Sequence, residues 1–208
     1  MVKGKLITFE GSEGSGKSTQ ARLVAGYLQG LGKDVLVLRE PGGVKISETI
    51  RNLLLDVKNE NMTKEAETLL YLAARAQLVE EVMIPALKVG KIIICDRFMD
   101  STFAYQGYGN GVDLKFIAKL GEFVTQGIKP DLTLLFDIET EKGLSRTNQQ
   151  KDRIELRPLA YHNRVRDGYL NLARKEPGRI KVIQVDAPKE EIFERVKQLV
   201  NKFLQIKK

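Results

Sequence analysis

The sequence predicts an α/β protein: a five-stranded parallel sheet with helices on both faces and a short lid. Three observations support this class. Short β-rich runs alternate with longer stretches of helical period, the pattern of a parallel sheet covered by helices. Each short run is apolar almost throughout, as strands buried on both faces require. A glycine-rich octet, GSEGSGKS at 11–18, joins the first run to the first helical stretch.

Taken in order, the strands fall near 6–9, 35–38, 91–95, 132–136 and 180–185. The helices are expected near 17–30, 44–57, 64–89, 114–125, 139–147, 158–175 and 189–203. Thr63 stands before Lys64 as an N-cap, with Ala66 where the acid of a capping box would sit, and Gly90 stops the long third helix. No internal repeat and no Pro/Gly/Ser linker interrupts the chain, so 1–208 reads as one domain. The most polar segment is RTNQQKDRIELR, 146–157. Read by itself, it is a solvated loop.

Composition narrows the partners. Hydrophobic residues make up 42% and charged residues 29% of the chain, which excludes disordered and fibrous classes. With 34 Lys and Arg against 27 Asp and Glu, the net charge of +7 favours an anionic partner. The lone Cys95 cannot close an internal disulfide and sits in an apolar run, as a buried thiol in a reducing compartment would. One histidine, His162, excludes a multi-histidine metal site. The apolar runs are far too short to span a membrane, and the apolar residues between Lys5 and Glu10 are too few for a signal-peptide core. A cytoplasmic location follows as an expectation.

Residues 11–18 match the phosphate-loop spacing Gly-x4-Gly-Lys-Ser/Thr, with a strand before and a helix after, which points to the P-loop NTPase fold. Gly11, Gly14 and Gly16 permit the backbone turns and the close approach that a Cβ would forbid, so N–H groups of Ser12, Glu13, Ser15 and their neighbours through Thr19 can converge on phosphate oxygens. Lys17 is placed for the β and γ phosphates of ATP, and the Ser18 hydroxyl for Mg²⁺. A GTPase would need a base-reading Asn/Thr-Lys-x-Asp element, and the chain has none. A small phosphoryl-transfer kinase or a nucleotide-dependent switch remains.

The third strand ends in Asp96-Arg97-Phe98, and ligands of open parallel sheets bind at the carboxyl ends of strands. Asp96 suits a Mg²⁺ ligand and Arg97 a second phosphate; taken alone, the pair is also a plausible surface ion pair.

Four ordered segments, FEGSEGSGKST (9–19), REPGG (39–43), LAARAQLVE (72–80) and DRFMDSTFAYQGYGNG (96–111), with DRIE (152–155) after them, resemble those of bacterial thymidylate kinases. That resemblance implies transfer of the ATP γ-phosphate to dTMP with Mg²⁺, by a homodimer. It implies that Tyr71 stacks on thymine, Arg75 bonds its carbonyl, and Thr102 and Gln106 flank the base. Arg97, with Arg51 and Arg39, would hold the acceptor phosphate, while Glu13 and Tyr105 sit by the sugar. Without the resemblance, Tyr71 reads as a core aromatic and Arg75 as an exposed helical charge. Phe98 stands where the family commonly has tyrosine or histidine.

Some members of the family carry a catalytic arginine inside the phosphate loop, where this chain has Gly14. The missing charge is expected from segment 146–157 acting as a lid, with Arg146 and Arg153 as the catalytic pair and Asp152 as an orienting partner or plain surface. His162 reads as packing or surface. Two rivals stay open. A deoxynucleoside kinase would need a carboxylate base at the sugar hydroxyl, and a nucleic-acid-binding P-loop ATPase would need a basic stripe, whereas Lys181, Lys189, Lys207 and Lys208 are scattered.

Overall fold

The computed structural model describes residues 4–147 and 151–206; Lys207, Lys208 and the centre of the polar segment, 148–150, lie outside them. Five strands, β1 (Lys5–Gly11), β2 (Val35–Arg39), β3 (Ile92–Asp96), β4 (Leu132–Asp137) and β5 (Ile180–Gln184), form one parallel sheet in the order β2-β3-β1-β4-β5. Every pairing is parallel, and Phe9 of β1 stands opposite Asp96 of β3 and Leu134 of β4. The chain leaves β1 toward one edge and later crosses to the other side. That change of direction opens a crevice at the C-terminal ends of β1, β3 and β4.

Alternation along the strands divides the core. Ile7 and Phe9 of β1, with Ile94, Leu134 and Phe136, face α1 (Lys17–Gly30) and α9 (Lys189–Leu204) through Val24, Leu28, Val196 and Val200. Leu6, Ile93 and Cys95 point the other way, onto Leu78, Met83 and Phe98. Cys95 is buried and free. Remaining helices are α2 (Lys45–Leu55), α3 (Lys64–Leu78), α4 (Ile84–Lys88), α5 (Met99–Thr102), α6 (Leu114–Thr125), α7 (Thr140–Leu144) and α8 (Leu159–Lys175). Among the described residues no helix is long and apolar enough to cross a membrane.

The expected strands and helices are present, with two differences. The long third helix does not run evenly through 64–89: Val79–Met83 widens into a π-helical turn before α4. Pro85 has no N–H to donate back into the preceding turn and its ring crowds that turn, so the backbone widens there. Thr63 does cap α3, its hydroxyl accepting the Ala66 N–H at 3.2 Å. The second difference is Met99–Gly109, where a glycine-rich tract without a helical stripe continues from α5 as wide helical turns. Gly107 and Gly109 serve contact rather than turning: an added Cβ would strike Leu114 and Tyr161.

Asp100 is almost fully buried and takes a bidentate pair from Arg179 at 2.7 and 2.8 Å, plus a hydroxyl from Thr133 at 3.0 Å. Removing one partner of a buried pair strands the other. Arg179→Ala should therefore destabilise the fold by about 3 kcal/mol, lowering Tm by roughly 10 °C. A melting curve within a degree or two of wild type would contradict this.

Candidate active site

β1 ends at Gly11, and the chain turns through 12–16 into α1. Gly11, Gly14 and Gly16 hold φ of 143°, 67° and 80°, a region that side chains disfavour. At Gly14 space as well as φ demands glycine, because a Cβ would land on the Gly143 carbonyl. Ser15 Oγ donates to the Ser12 carbonyl at 2.8 Å and tightens the turn. Gly16 caps α1 without a side chain, so the first N–H groups of the helix are left for an anion.

Lys17 is nearly buried at the mouth of α1. Burial, and then the neighbouring Arg97, bring its ammonium down to about 8 against the pull of Asp96, Glu13 and Glu10. A second cation this close must be held firmly, and the backbone of Arg97 does so. Its N–H donates to the Phe9 carbonyl at 3.0 Å and its φ is 73°, an uncommon conformation for a residue with a side chain. The guanidinium lies over the Tyr105 ring at 4.8 Å and donates to the Gly11 carbonyl and Glu13 Oε1, both at 3.2 Å. Glu13 thus stands between the glycine loop and Arg97. Although its burial alone would raise the carboxyl, His162, Arg97, Lys17 and Tyr105 hold it far below the usual range.

One cleft gathers most of the acceptor residues read from the sequence: Glu13, Arg39, Arg51, Tyr71, Arg75, Arg97, Thr102, Tyr105 and Gln106, with Lys17, Ser18 and Asp96 at its floor. The expectation that Arg75, taken without the family, is an exposed charge is overturned; it is 2% exposed. Its Nε donates to Glu40 at 2.6 Å, Nη1 to Thr102 Oγ1 at 2.8 Å and Met99 Sδ at 3.0 Å, and Nη2 to the Phe98 carbonyl at 3.0 Å. Phe98, buried beneath it, receives the cation on its face at 5.3 Å. Of the five N–H directions of a guanidinium, one on Nη2 remains for a ligand. Gln106 donates to Glu67 at 3.0 Å, which orients its amide. At the rim, Arg39 pairs with both oxygens of Glu48 at 3.0 Å, and Arg51 donates to the Pro41 carbonyl at 3.0 Å.

A second cleft lies over the loop, lined by Gly14, Gly16, Lys17, Ser18, Thr19 and, from the polar segment, Arg146 and Thr147. Arg146 is exposed at this cleft. Arg153 is not brought there. It is 4% exposed, Nε donates to the Leu54 carbonyl at 2.8 Å, and Nη2 sits 2.7 Å from Glu67 Oε2. A guanidinium this deep needs a counter-charge, and the fully buried Glu67 supplies it while also taking Gln106, Asn110 and Arg157. Asp152 is an orienting residue, its Oδ1 accepting the N–H groups of Ile154 and Glu155 at 2.9 Å each. His162 packs at 1% exposure, with Nδ1 3.5 Å from Glu13 Oε2.

The donor set suits a hard cation that keeps most of its water. Asp96 Oδ1 is a buried carboxylate oxygen with no hydrogen-bond partner, at the floor shared with Ser18. Among the described residues no group of three or more His, Cys, Asp or Glu side chains is placed to hold a metal ion. Sequence reasoning missed Glu40 and Glu67, which fix Arg75 and the lid segment, and Glu155, which borders both clefts. An acid in a helix or at a strand end has no local signature of its distant partner.

The family profile described as Thymidylate kinase matches residues 9–196. The chain is similar to the thymidylate kinase of Clostridium novyi (strain NT), 45% identical over 201 residues that cover 95% of this chain and 98% of that one. It is also similar to the thymidylate kinase of Syntrophotalea carbinolica, 46% identical over 198 residues covering 91% and 92%. The crystal structure of thymidylate kinase from Ehrlichia chaffeensis superposes with a TM-score of 0.80 at 35% identity, over 95% of this chain and 98% of that one.

The two arginines of the polar segment should separate in stability. Arg153→Ala leaves Glu67 short of a buried partner and is expected to cost up to about 3 kcal/mol, whereas Arg146→Ala, being exposed, should shift stability by less than about 0.5 kcal/mol. Paired chemical denaturations check this, and equal midpoints for the two variants would show that the Arg153–Glu67 contact does not anchor the segment.

Proposed function

The chain belongs to the thymidylate kinase family, and from that premise we propose how its residues move the γ-phosphate of ATP to dTMP, giving ADP and dTDP. One observation carries the assignment of roles: a phosphate loop and a buried, backbone-fixed arginine meet in one crevice with Glu13 between them. ATP lies on the loop, with Lys17 and the N-terminus of α1 on its phosphates. dTMP enters the adjoining cleft. Arg97 receives its phosphate, with Arg51 and Arg39 at the rim, and Glu13 and Tyr105 border the sugar. Tyr71 stacks on the base, and the remaining N–H of Arg75 reads a base carbonyl beside Thr102 and Gln106.

The acceptor oxygen is already ionised, so no general base is needed. Catalysis rests on positioning and on charge placed where the transition state needs it. Ser18 and Asp96 would hold Mg²⁺, which when bound neutralises charge across the β and γ phosphates. From the lid, about 146–157, Arg146 supplies a cation to the transferring group. The sequence-based expectation paired Arg153 with it. Its burial on Glu67 supports an anchoring part instead, since leaving that pair would strand a buried carboxylate. Closure of the segment also excludes water, which would otherwise take the phosphoryl group.

The working enzyme is a homodimer in the cytoplasm by this reading. Large apolar side chains on the packed pair α3 and α6 support the dimer: Leu69, Phe116 and Phe123 are 54%, 51% and 80% exposed. A second copy would cover them. The nucleoside-kinase alternative is disfavoured by the cationic acceptor cleft, and the nucleic-acid reading by the lack of a continuous basic stripe.

The test is ADP release with saturating ATP and Mg²⁺ over a panel of acceptors. The expected order of kcat/KM is dTMP, dUMP, dCMP, with thymidine near zero. Enclosing one methyl separates the first two by ~1 to 3 kcal/mol. The amine of dCMP puts a donor against Arg75, and thymidine lacks the charge that Arg97 receives. dCMP at or above dTMP would sink the base assignment, and rapid thymidine phosphorylation would favour the nucleoside kinase. In the same assay Arg146→Ala should lower kcat by ~10³-fold, the lower end for such a cation, with both KM values nearly unchanged.

A further inference from the structure

Arg97 is held by more than its own backbone. Its Nη1 also donates to Ser101 Oγ at 3.3 Å and to Tyr169 OH at 3.2 Å. Each of these hydroxyls can serve as an acceptor only if its hydrogen points elsewhere. They lie 2.7 Å from each other, and both reach one atom, Glu10 Oε2, at 2.6 Å from Ser101 and 2.9 Å from Tyr169. The other oxygen, Oε1, accepts the N–H of Phe98, the residue following Arg97, at 2.7 Å.

Glu10 is fully buried and lines neither cleft. It is the residue before Gly11 on β1, so it stands at the root of the phosphate loop while bonding the acceptor side. Burial first, and Asp100 second, raise its carboxyl to about 7, against the pull of Ser101, Arg97 and Tyr169. A buried acid in a strand that could be wholly apolar is an energetic burden, and the hydroxyl relay is what the fold obtains from it.

We propose, on the premise that Arg97 holds the acceptor phosphate, that Glu10 is a positioning residue for dTMP binding: it orients the Ser101 and Tyr169 hydroxyls toward itself so that their lone pairs fix the Arg97 guanidinium. The relay has a direction in the ionised form of Glu10, the form that Arg97, Ser101 and Tyr169 favour: a carboxylate only accepts, so a hydroxyl bonded to it donates and turns its lone pairs toward Arg97. In Glu10→Gln the amide oxygen is claimed by the Phe98 N–H, and the NH₂ group falls on the two hydroxyls. They then accept from Gln and turn their hydrogens toward Arg97, which meets donors where it had acceptors. Size and shape are kept; only the polarity of the relay is reversed.

The experiment is a double-mutant cycle by calorimetric titration of dTMP and, separately, of ATP into the whole protein. Glu10→Gln is expected to weaken dTMP binding ~10-fold, about the worth of one charge-assisted hydrogen bond, with ATP affinity within twofold. Arg97→Ala should weaken dTMP further, and the double variant should match Arg97→Ala alone, because Glu10 acts only through Arg97. Tyr169→Phe, which removes one relay hydroxyl, should show the same selective loss at smaller size, and it decides the question should Glu10→Gln fold poorly. If the Glu10→Gln loss multiplies in full onto that of Arg97→Ala, or if dTMP and ATP weaken alike, Glu10 has only a structural part and the proposal is overturned. If Arg97→Ala binds dTMP normally, the phosphate role of Arg97 fails and Glu10 falls with it. A loss in Arg97→Ala without one in Glu10→Gln or Tyr169→Phe refutes the relay alone.

Discussion

Two cations are held close together in a buried corner before any phosphate arrives, and the site is organised around that repulsion. Lys17 is fixed by the turn into α1 and Arg97 by the bond of its N–H to Phe9, so neither can move away from the other. The depressed proton affinity of Lys17 reports the strain, with burial as its first cause and Arg97 as its second. Like charges in a poorly solvated place disfavour one another until counter-charge is supplied. Glu13 stands between them and Asp96 and Glu10 also act on Lys17, yet burial and Arg97 outweigh all three. On the proposed roles, a triphosphate on one side and a monophosphate on the other would complete the balance, which would give each nucleotide a reason to bind where it does.

The sheet makes this possible. Because β1 and β3 are paired with Phe9 opposite Asp96, the end of the phosphate loop strand and the end of the acceptor strand lie side by side. The positive φ of Arg97 turns its side chain back across β1, over Gly11, where it meets the loop. A residue held this way stores backbone strain that the surrounding contacts must outweigh. The cation-π contact with Tyr105 and the bonds to Glu13 and Gly11 do so from different directions.

Much of this was legible in the sequence. The alternation of apolar runs and helical stretches locates all five strands, and α1 and α6 span the ranges that helical period gives them. The phosphate loop is legible because its chemistry is local: the glycines, Lys17 and Ser18 act through adjacent backbone. What was not legible depends on distant partners. Arg75 reads as an exposed helical charge until Glu40, 35 positions away, is seen beside it. Arg153 reads as a lid cation until Glu67 is seen to bury it. The wide helical turns of 99–109 were not legible either, because Gly107 and Gly109 are there for close packing on Leu114 and Tyr161, contacts that no local spacing announces.

Two cations held apart by Glu13 require that two nucleotides divide between them. The most direct measurement is a crystal structure with dTMP and a non-hydrolysable ATP analogue bound together. The prediction is a dTMP phosphate within ~3 Å of the Arg97 guanidinium, which keeps its contacts to Gly11 and Glu13, with Lys17 on the triphosphate. A dTMP phosphate bound away from Arg97, with that guanidinium still satisfied only by protein, would contradict it.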